Sequence, residues 1–135
     1  MTSDQHEIEK AFISTFVQKN RQNRWFLKIN DKNKRTNFLD ILCHKPGFIE
    51  RFLQKIDRHQ QSSSDIVGTL RSLGAPAKCH IISAHAEIDG TTLPLAEAVE
   101  EIVGFHDGTV IVCIPDKLAY WESEGLRERY ILRRL

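Results

Sequence analysis

The sequence predicts an α+β fold with an α/β-like C-terminal part. A helical first half packs with a mixed four-stranded sheet that holds one β-α-β unit and ends in an antiparallel meander. Three observations carry this reading. Residues 1–74 space their apolar side chains at helical steps, the character changes to short strand-like runs from Lys78, and the last third reads as three successive strands joined by tight turns.

His6 to Gln18 sets Ile8, Ala11, Phe12, Thr15 and Phe16 at three- and four-residue steps, with Ser3 or Asp4 available as N-cap. Trp25, Phe26, Leu27 and Ile29, then Phe38, Leu39, Ile41 and Leu42, predict two short helices broken at Asn30–Asn33, because the long charged residues around them favour helix. After the Pro46-Gly47 break, Phe48, Ile49, Phe52, Leu53 and Ile56 again recur at helical spacing and predict another helix. Gln60–Ser64 is a loop, and Ser63 or Ser64 caps a helix over Ile66, Val67, Leu70 and Leu73 that Gly74-Ala-Pro76 ends.

Cys79–Ser83 reads as a strand, followed by a polar bend ending at Asp89-Gly90, a helix over Leu95–Val103 and a strand over Thr109–Ile114. That is a β-α-β unit, whose two strands are expected to be parallel. Pro115–Lys117 and Ser123–Leu126 are short enough to make Leu118–Glu122 and Arg129–Leu132 antiparallel neighbours.

The length, 135 residues, suits a single domain, mainly helical over 1–74 and β-α-β-β-β over 78–135. With 41% hydrophobic and 27% charged residues, the composition is that of a globular chain and excludes wholesale disorder. The polar, acidic start lacks the features of a secretory signal, and no apolar run approaches the roughly 20 residues of a spanning helix, so a soluble cytoplasmic protein is expected. Cys43, Cys79 and Cys113, odd in number and widely spaced, read as reduced thiols rather than a disulfide framework.

A net charge of +1 excludes a strongly basic nucleic-acid binder, but the charge is polarised. Between Lys19 and Arg35 seven basic residues (Lys19, Arg21, Arg24, Lys28, Lys32, Lys34, Arg35) accompany one acidic residue, Asp31. With Trp25 and Phe26 among them, this stretch has the residue types that meet phosphates and stack a base. It equally describes a solvated amphipathic helix pair with its aromatics turned inward.

Ile82-Ser83, Asp89-Gly90, Gly108-Thr109, Cys113, Pro115, Leu118-Ala-Tyr120, Glu122, Glu124 and Arg129-Tyr-Ile-Leu132 together resemble a small uncharacterised bacterial protein family. The likeness covers mainly residues 78–134, with a looser echo in the basic, aromatic first half. In that family the turn is Pro-Gly followed by Leu-Ala-Tyr-Tyr; here Asp116 replaces the glycine and Trp121 the second tyrosine. The resemblance implies no catalytic role.

The candidate reactive groups begin with His85, Glu87 and Asp89. On an extended chain alternate residues share a face, and a histidine with two carboxylates can bind a divalent metal or exchange protons. The same residues also make an ordinary solvated loop entering an Asp-Gly turn. Cys113 is a nucleophile only if a histidine such as His85 or His106 approaches it, and is otherwise a core thiol. Alternation puts Tyr120 and Glu122 on the face opposite Trp121, so either could wall a pocket or complete a core. There is no phosphate-binding glycine loop, paired-Cys zinc pattern, Gly-x-Ser-x-Gly or His-Glu-x-x-His.

The leading expectation is a binding or regulatory domain without catalysis or cofactor, taking a protein partner or small ligand, able to form a homodimer and offering a sheet edge to a partner. The alternatives are a hydrolase or metal-assisted enzyme centred on His85–Asp89, and nucleic-acid binding through Lys19–Arg35.

Overall fold

The computed structural model describes residues 1–104, 108–125 and 128–134. Its helices are α1 (Ser3–Phe16), α2 (Lys19–Ile29), α3 (Arg35–Leu39), α4 (Ser63–Ser72) and α5 (Leu95–Ile102). Its strands are β1 (Leu53–Lys55), β2 (Lys78–Ser83), β3 (Thr92–Pro94), β4 (Thr109–Ile114), β5 (Leu118–Glu122) and β6 (Arg129–Arg133). The strands form one six-stranded antiparallel sheet in the order β1-β6-β5-β4-β2-β3. The fold is therefore α+β with a C-terminal β4-β5-β6 meander, and the expected mixed four-stranded sheet is corrected on strand number and direction.

The first difference arises at Phe48–Ile56. Despite its helical spacing, this segment makes only a 3-10 turn at Glu50–Phe52 and then enters the sheet as β1, with Leu53 opposite Leu132. Tertiary contacts override local period here. Phe48 bridges to Val17 and packs edge-on against both Phe12 and Trp121, while Phe52 packs edge-on against Phe16.

The second difference lies after Asp89-Gly90. Gly90 adopts φ +78°, and the chain folds back so that β3 pairs with β2, Leu93 opposite Cys79. Because β3 and β4 both run antiparallel to β2, they are parallel to each other, and the crossover through α5 joins β3 to β4 around the intervening β2. A β-α-β unit exists, then, but its first strand is β3. Pro94 is tolerated because β3 is an edge.

Helices cover both faces of the sheet. Phe12, Ile13 and Phe16 of α1, Trp25 of α2 and Phe38 and Leu39 of α3 pack with Ile82, Val110, Val112, Ala119 and Trp121 on one face. Ile66 and Leu70 of α4 and Leu95, Val99 and Ile102 of α5 pack with Ile81, Ile111, Leu118 and Tyr120 on the other. Neighbouring strand residues thus belong to opposite cores, which is why the central strands read as continuous apolar runs. Trp121 ties the first half to this frame by donating its indole N–H to the Leu42 carbonyl at 2.8 Å, and within the first half Trp25 donates to the Pro46 carbonyl at 3.1 Å.

Helix starts are locally encoded. Thr2 caps α1 and forms a reciprocal capping box with Gln5, while the Ser62 hydroxyl accepts from Asp65 N–H at the start of α4. Both caps lie one or more residues before the serine or aspartate expected in that role. Gly108, entering β4 at φ +64°, is packed so tightly that an added Cβ would lie 2.7 Å from Cys43 Sγ and 3.0 Å from its backbone nitrogen.

Two glycine substitutions should therefore act in opposite directions. Gly108→Ala imposes a left-handed strain and a backbone clash and should destabilise by about 2 kcal/mol or more. Gly68→Ala, at an open helical position with nothing within 4 Å, should stabilise by about 0.5–1 kcal/mol. Urea denaturation of the two variants checks this, and equal effects would contradict it.

Candidate functional site

A buried ionic cluster joins the two halves of the chain. His80, on β2, turns toward α1 and α3, opposite to the neighbouring Cys79 and Ile81. There its Nε2 meets Glu9 Oε2 at 2.7 Å. Arg35, the first residue of α3, donates from both terminal nitrogens to the two Glu9 oxygens at 2.7 Å and from Nη2 to Asp89 Oδ1 at 2.9 Å; its Nε also donates to Asp89. Asp89 in turn accepts the Ser83 backbone N–H at 3.0 Å. Glu9 is 1% exposed and Arg35 8%, so these charges interact with little screening.

Burial alone would raise the Glu9 pKa, but hydrogen bonds from Arg35 and His80 more than offset it and hold the carboxyl below its ordinary value. Burial likewise opposes the Arg35 charge, and Glu9 and Asp89 outweigh it. With Nε2–H donated to an ionised Glu9, His80 Nδ1 is left buried without a protein partner. Both carboxylates share the Arg35 guanidinium, and the arrangement suits holding α1, α3 and β2 together.

This cluster relocates several sequence-derived candidates. Residues 84–90 form a bend and turn rather than an extended chain, so His85, Glu87 and Asp89 do not line one face. His85 and Glu87 are exposed, while Asp89 points inward to Arg35. Among the described residues, no group of three or more His, Cys, Asp or Glu is placed to hold a metal ion. Arg35, read from sequence as part of a basic nucleic-acid surface, is instead a core cation. Glu9, its main partner, gave no signal beyond lying on the apolar side of α1.

The second set of candidates also pairs internally. Tyr120 donates its hydroxyl to Glu122 Oε1 at 2.8 Å. Glu122 further accepts Gly104 N–H at 3.2 Å and lies 3.4 Å from Arg129 Nε. Burial and then the Glu122 charge push the Tyr120 hydroxyl well above its ordinary range, so it remains protonated. Cys113 donates to the Ile111 carbonyl at 3.9 Å; the nearby Cys79 thiol and then burial push Cys113 well above the ordinary thiol range. That is the reverse of what an attacking thiolate needs. His106 lies outside the described residues.

The remaining basic residues are outward. Lys19, Arg21, Arg24, Lys32 and Lys34 are exposed and Lys28 is partly so, with Lys34 loosely paired to Asp31 at 3.8 Å. Trp25 is 1% exposed and Phe38 8%, so these rings lie beneath the cations. The Arg24 guanidinium sits 5.9 Å from the Phe38 ring centre. Two clefts open beside it. One of about 260 Å³ is lined by Arg21, Arg24, Trp25, Phe38, Ile41 and Lys45, among others; another of about 340 Å³ is lined by Arg24, Lys28, Asn33, Lys34, Asn37 and Phe38. Neither has a carboxylate in its wall. A third, of about 500 Å³, opens at the N-terminal end of α2 between Lys19, Arg51 and Arg134. Lys45, Arg51 and Arg134 were not recognisable as site residues because only folding brings them beside α2.

The cluster's role can be measured. Arg35→Met should cost about 3–5 kcal/mol, because it leaves Glu9 and Asp89 buried without their counter-charge. Arg24→Ala, at an exposed position, should stay within about 0.5 kcal/mol. Glu9, held below its ordinary carboxylate value of 4.5, contributes stability that is fully present above that value and lost as pH falls through its lower folded-state pKa. Unfolding free energy measured from pH 7 to pH 3 should fall with acid, and less steeply in Glu9→Gln relative to its own value at pH 7; an unchanged slope would refute the assignment. No protein-family model matches the chain, and no match is found among curated proteins or solved structures, so what bears on function is the chemistry of these residues.

Proposed function

We propose that the protein is a small binding or regulatory domain without catalysis, whose partner is an acidic protein surface met by the outer flank of α2 and α3. The observation that carries this is the lining of the two adjoining clefts around Arg24: five different Lys and Arg side chains and no Asp or Glu. Apart from the loose Lys34–Asp31 pair, these cations are gathered without counter-charges among the described residues, and such a group attracts an anionic surface and steers its approach.

The inward groups point the same way. Glu9, Arg35 and Asp89 are bonded to one another and to His80 Nε2, and Tyr120, Glu122 and Arg129 likewise interact among themselves, which leaves the enzymatic reading around His85–Asp89 with little support. Recognition through a sheet edge has less support too. The edges β1 and β3 are three residues long and carry Lys55 and Pro94, devices that discourage strand addition. A soluble, cytoplasmic, bacterial setting belongs to the same proposal; among the described residues no helix is long and apolar enough to cross a membrane.

A nucleic acid is the competing anionic partner. Trp25 and Phe38 are 1% and 8% exposed, which leaves little ring surface on which a base can stack and favours the protein partner. Fluorescence anisotropy with a labelled poly-glutamate peptide and a labelled DNA oligonucleotide separates the two. Peptide binding should be weakened about fivefold by the Arg21→Ala, Arg24→Ala pair and further weakened by salt. DNA binding tighter than peptide binding would transfer the site to the nucleic-acid reading, and no binding of either would remove the proposal.

A further inference from the structure

We propose that the third cleft, between the N-terminus of α2 and the outer end of β6, is a separate binding site for a small organic phosphate. Lys19, Arg51 and Arg134 line it, and none of the three is paired with a carboxylate among the described residues. No acidic side chain lines the cleft either. Three cations facing one concavity repel each other, and a ligand carrying two negative charges relieves that repulsion better than a single carboxylate.

The backbone favours the same ligand. Helix α2 is 11 residues long, its N-cap Gln18 makes no side-chain capping bond, and its first turn holds no acidic residue. The Arg21 N–H is taken by the Gln18 carbonyl at 2.9 Å, so what α2 offers the cleft is the positive end of its dipole at Lys19. The preceding helix ends in the same place, where its terminal carbonyls would repel an anion. The Gln22 amide answers this by donating to the Ser14 and Val17 carbonyls at 3.3 and 3.0 Å. Arg51 is held with its guanidinium 4.7 Å from the Phe52 ring centre, which limits the rotamer freedom it loses on binding.

The ligand has an organic body because the wall is only partly polar. Val17, Ile49 and Phe52 supply the apolar part of the wall, with Arg51 lying on the Phe52 ring, and the volume of about 500 Å³ falls in the range of small-molecule sites, about 300–1,000 Å³, rather than that of a lone oxyanion. The phosphate is thus assigned to Lys19, Arg134 and the start of α2, and the body to Ile49 and Phe52.

Isothermal titration of the full chain at low salt with AMP and with inorganic phosphate tests this. AMP should bind saturably at one site, at least about tenfold more tightly than phosphate. Combining Arg51→Ala with Arg134→Ala, both exposed positions, should lower AMP affinity at least about tenfold, with an unchanged circular dichroism spectrum. Arg24→Ala should leave it unchanged, which separates this site from the acidic-partner surface. The absence of saturable binding, equal affinity in the double variant, or AMP binding no tighter than phosphate would each overturn the proposal.

Discussion

The placement of Arg35 constrains much of this fold. Its guanidinium is drawn into the protein by Glu9 and Asp89, and His80 completes the set, so α1, α3, β2 and the turn after β2 converge on one charge. Removing two carboxylates and a guanidinium from water costs several kcal/mol per ion before any attraction is counted. The cluster persists because its hydrogen bonds are short and multiple. Its main effect is specificity of arrangement, since a helical layer rotated or shifted on the sheet would strand at least one buried charge.

The sheet imposes a second demand. With helices on both faces, inward polar groups on the central strands are cut off from water and most find a partner inside the protein, His80 Nδ1 being the exception among the described residues. Ser83 and Thr109 bond each other at 2.8 Å, Tyr120 bonds Glu122, and the Trp121 indole reaches the Leu42 carbonyl. The polar residues that drew attention as reactive candidates are largely those that the two-sided core requires to be satisfied. A buried Tyr–Glu pair and a Cys–Cys pair serve packing as well as they would serve chemistry, and their titration favours the packing role.

Legibility in the sequence followed the range of the deciding interactions. Thr109–Ile114 and Leu118–Glu122 were readable to the residue because short turns and two-sided burial write a local pattern. α1, α4 and α5 were readable from period and breakers. Leu53–Lys55 was not, because its strand state depends on pairing with β6 roughly seventy-five residues later, and its apolar spacing serves contacts with Phe16 and the sheet. The antiparallel relation of β2 and β4 depended likewise on a three-residue hairpin strand too short to show a period. At the site level, Asp89 was visible as a turn residue and Arg35 as one of seven cations, but nothing local could pair them.

Helical phase explains why one basic stretch supplies both a core ion and an exposed surface. In α2 the positions of Trp25 and Ile29 face the sheet, one turn apart, while Arg24 turns away from it and Arg21 and Lys28 flank the inward stripe. The break at residues 30–34 resets that phase, so α3 turns Arg35, Phe38 and Leu39 inward together, and the guanidinium arrives beside Glu9. The inward cation is neutralised by carboxylates from distant elements, whereas the outward ones have almost none among their near neighbours. The α2 flank is therefore locally cationic although the net charge is only +1. A chain of balanced composition can in this way present one cationic face, and the proposed acidic partner rests on that asymmetry.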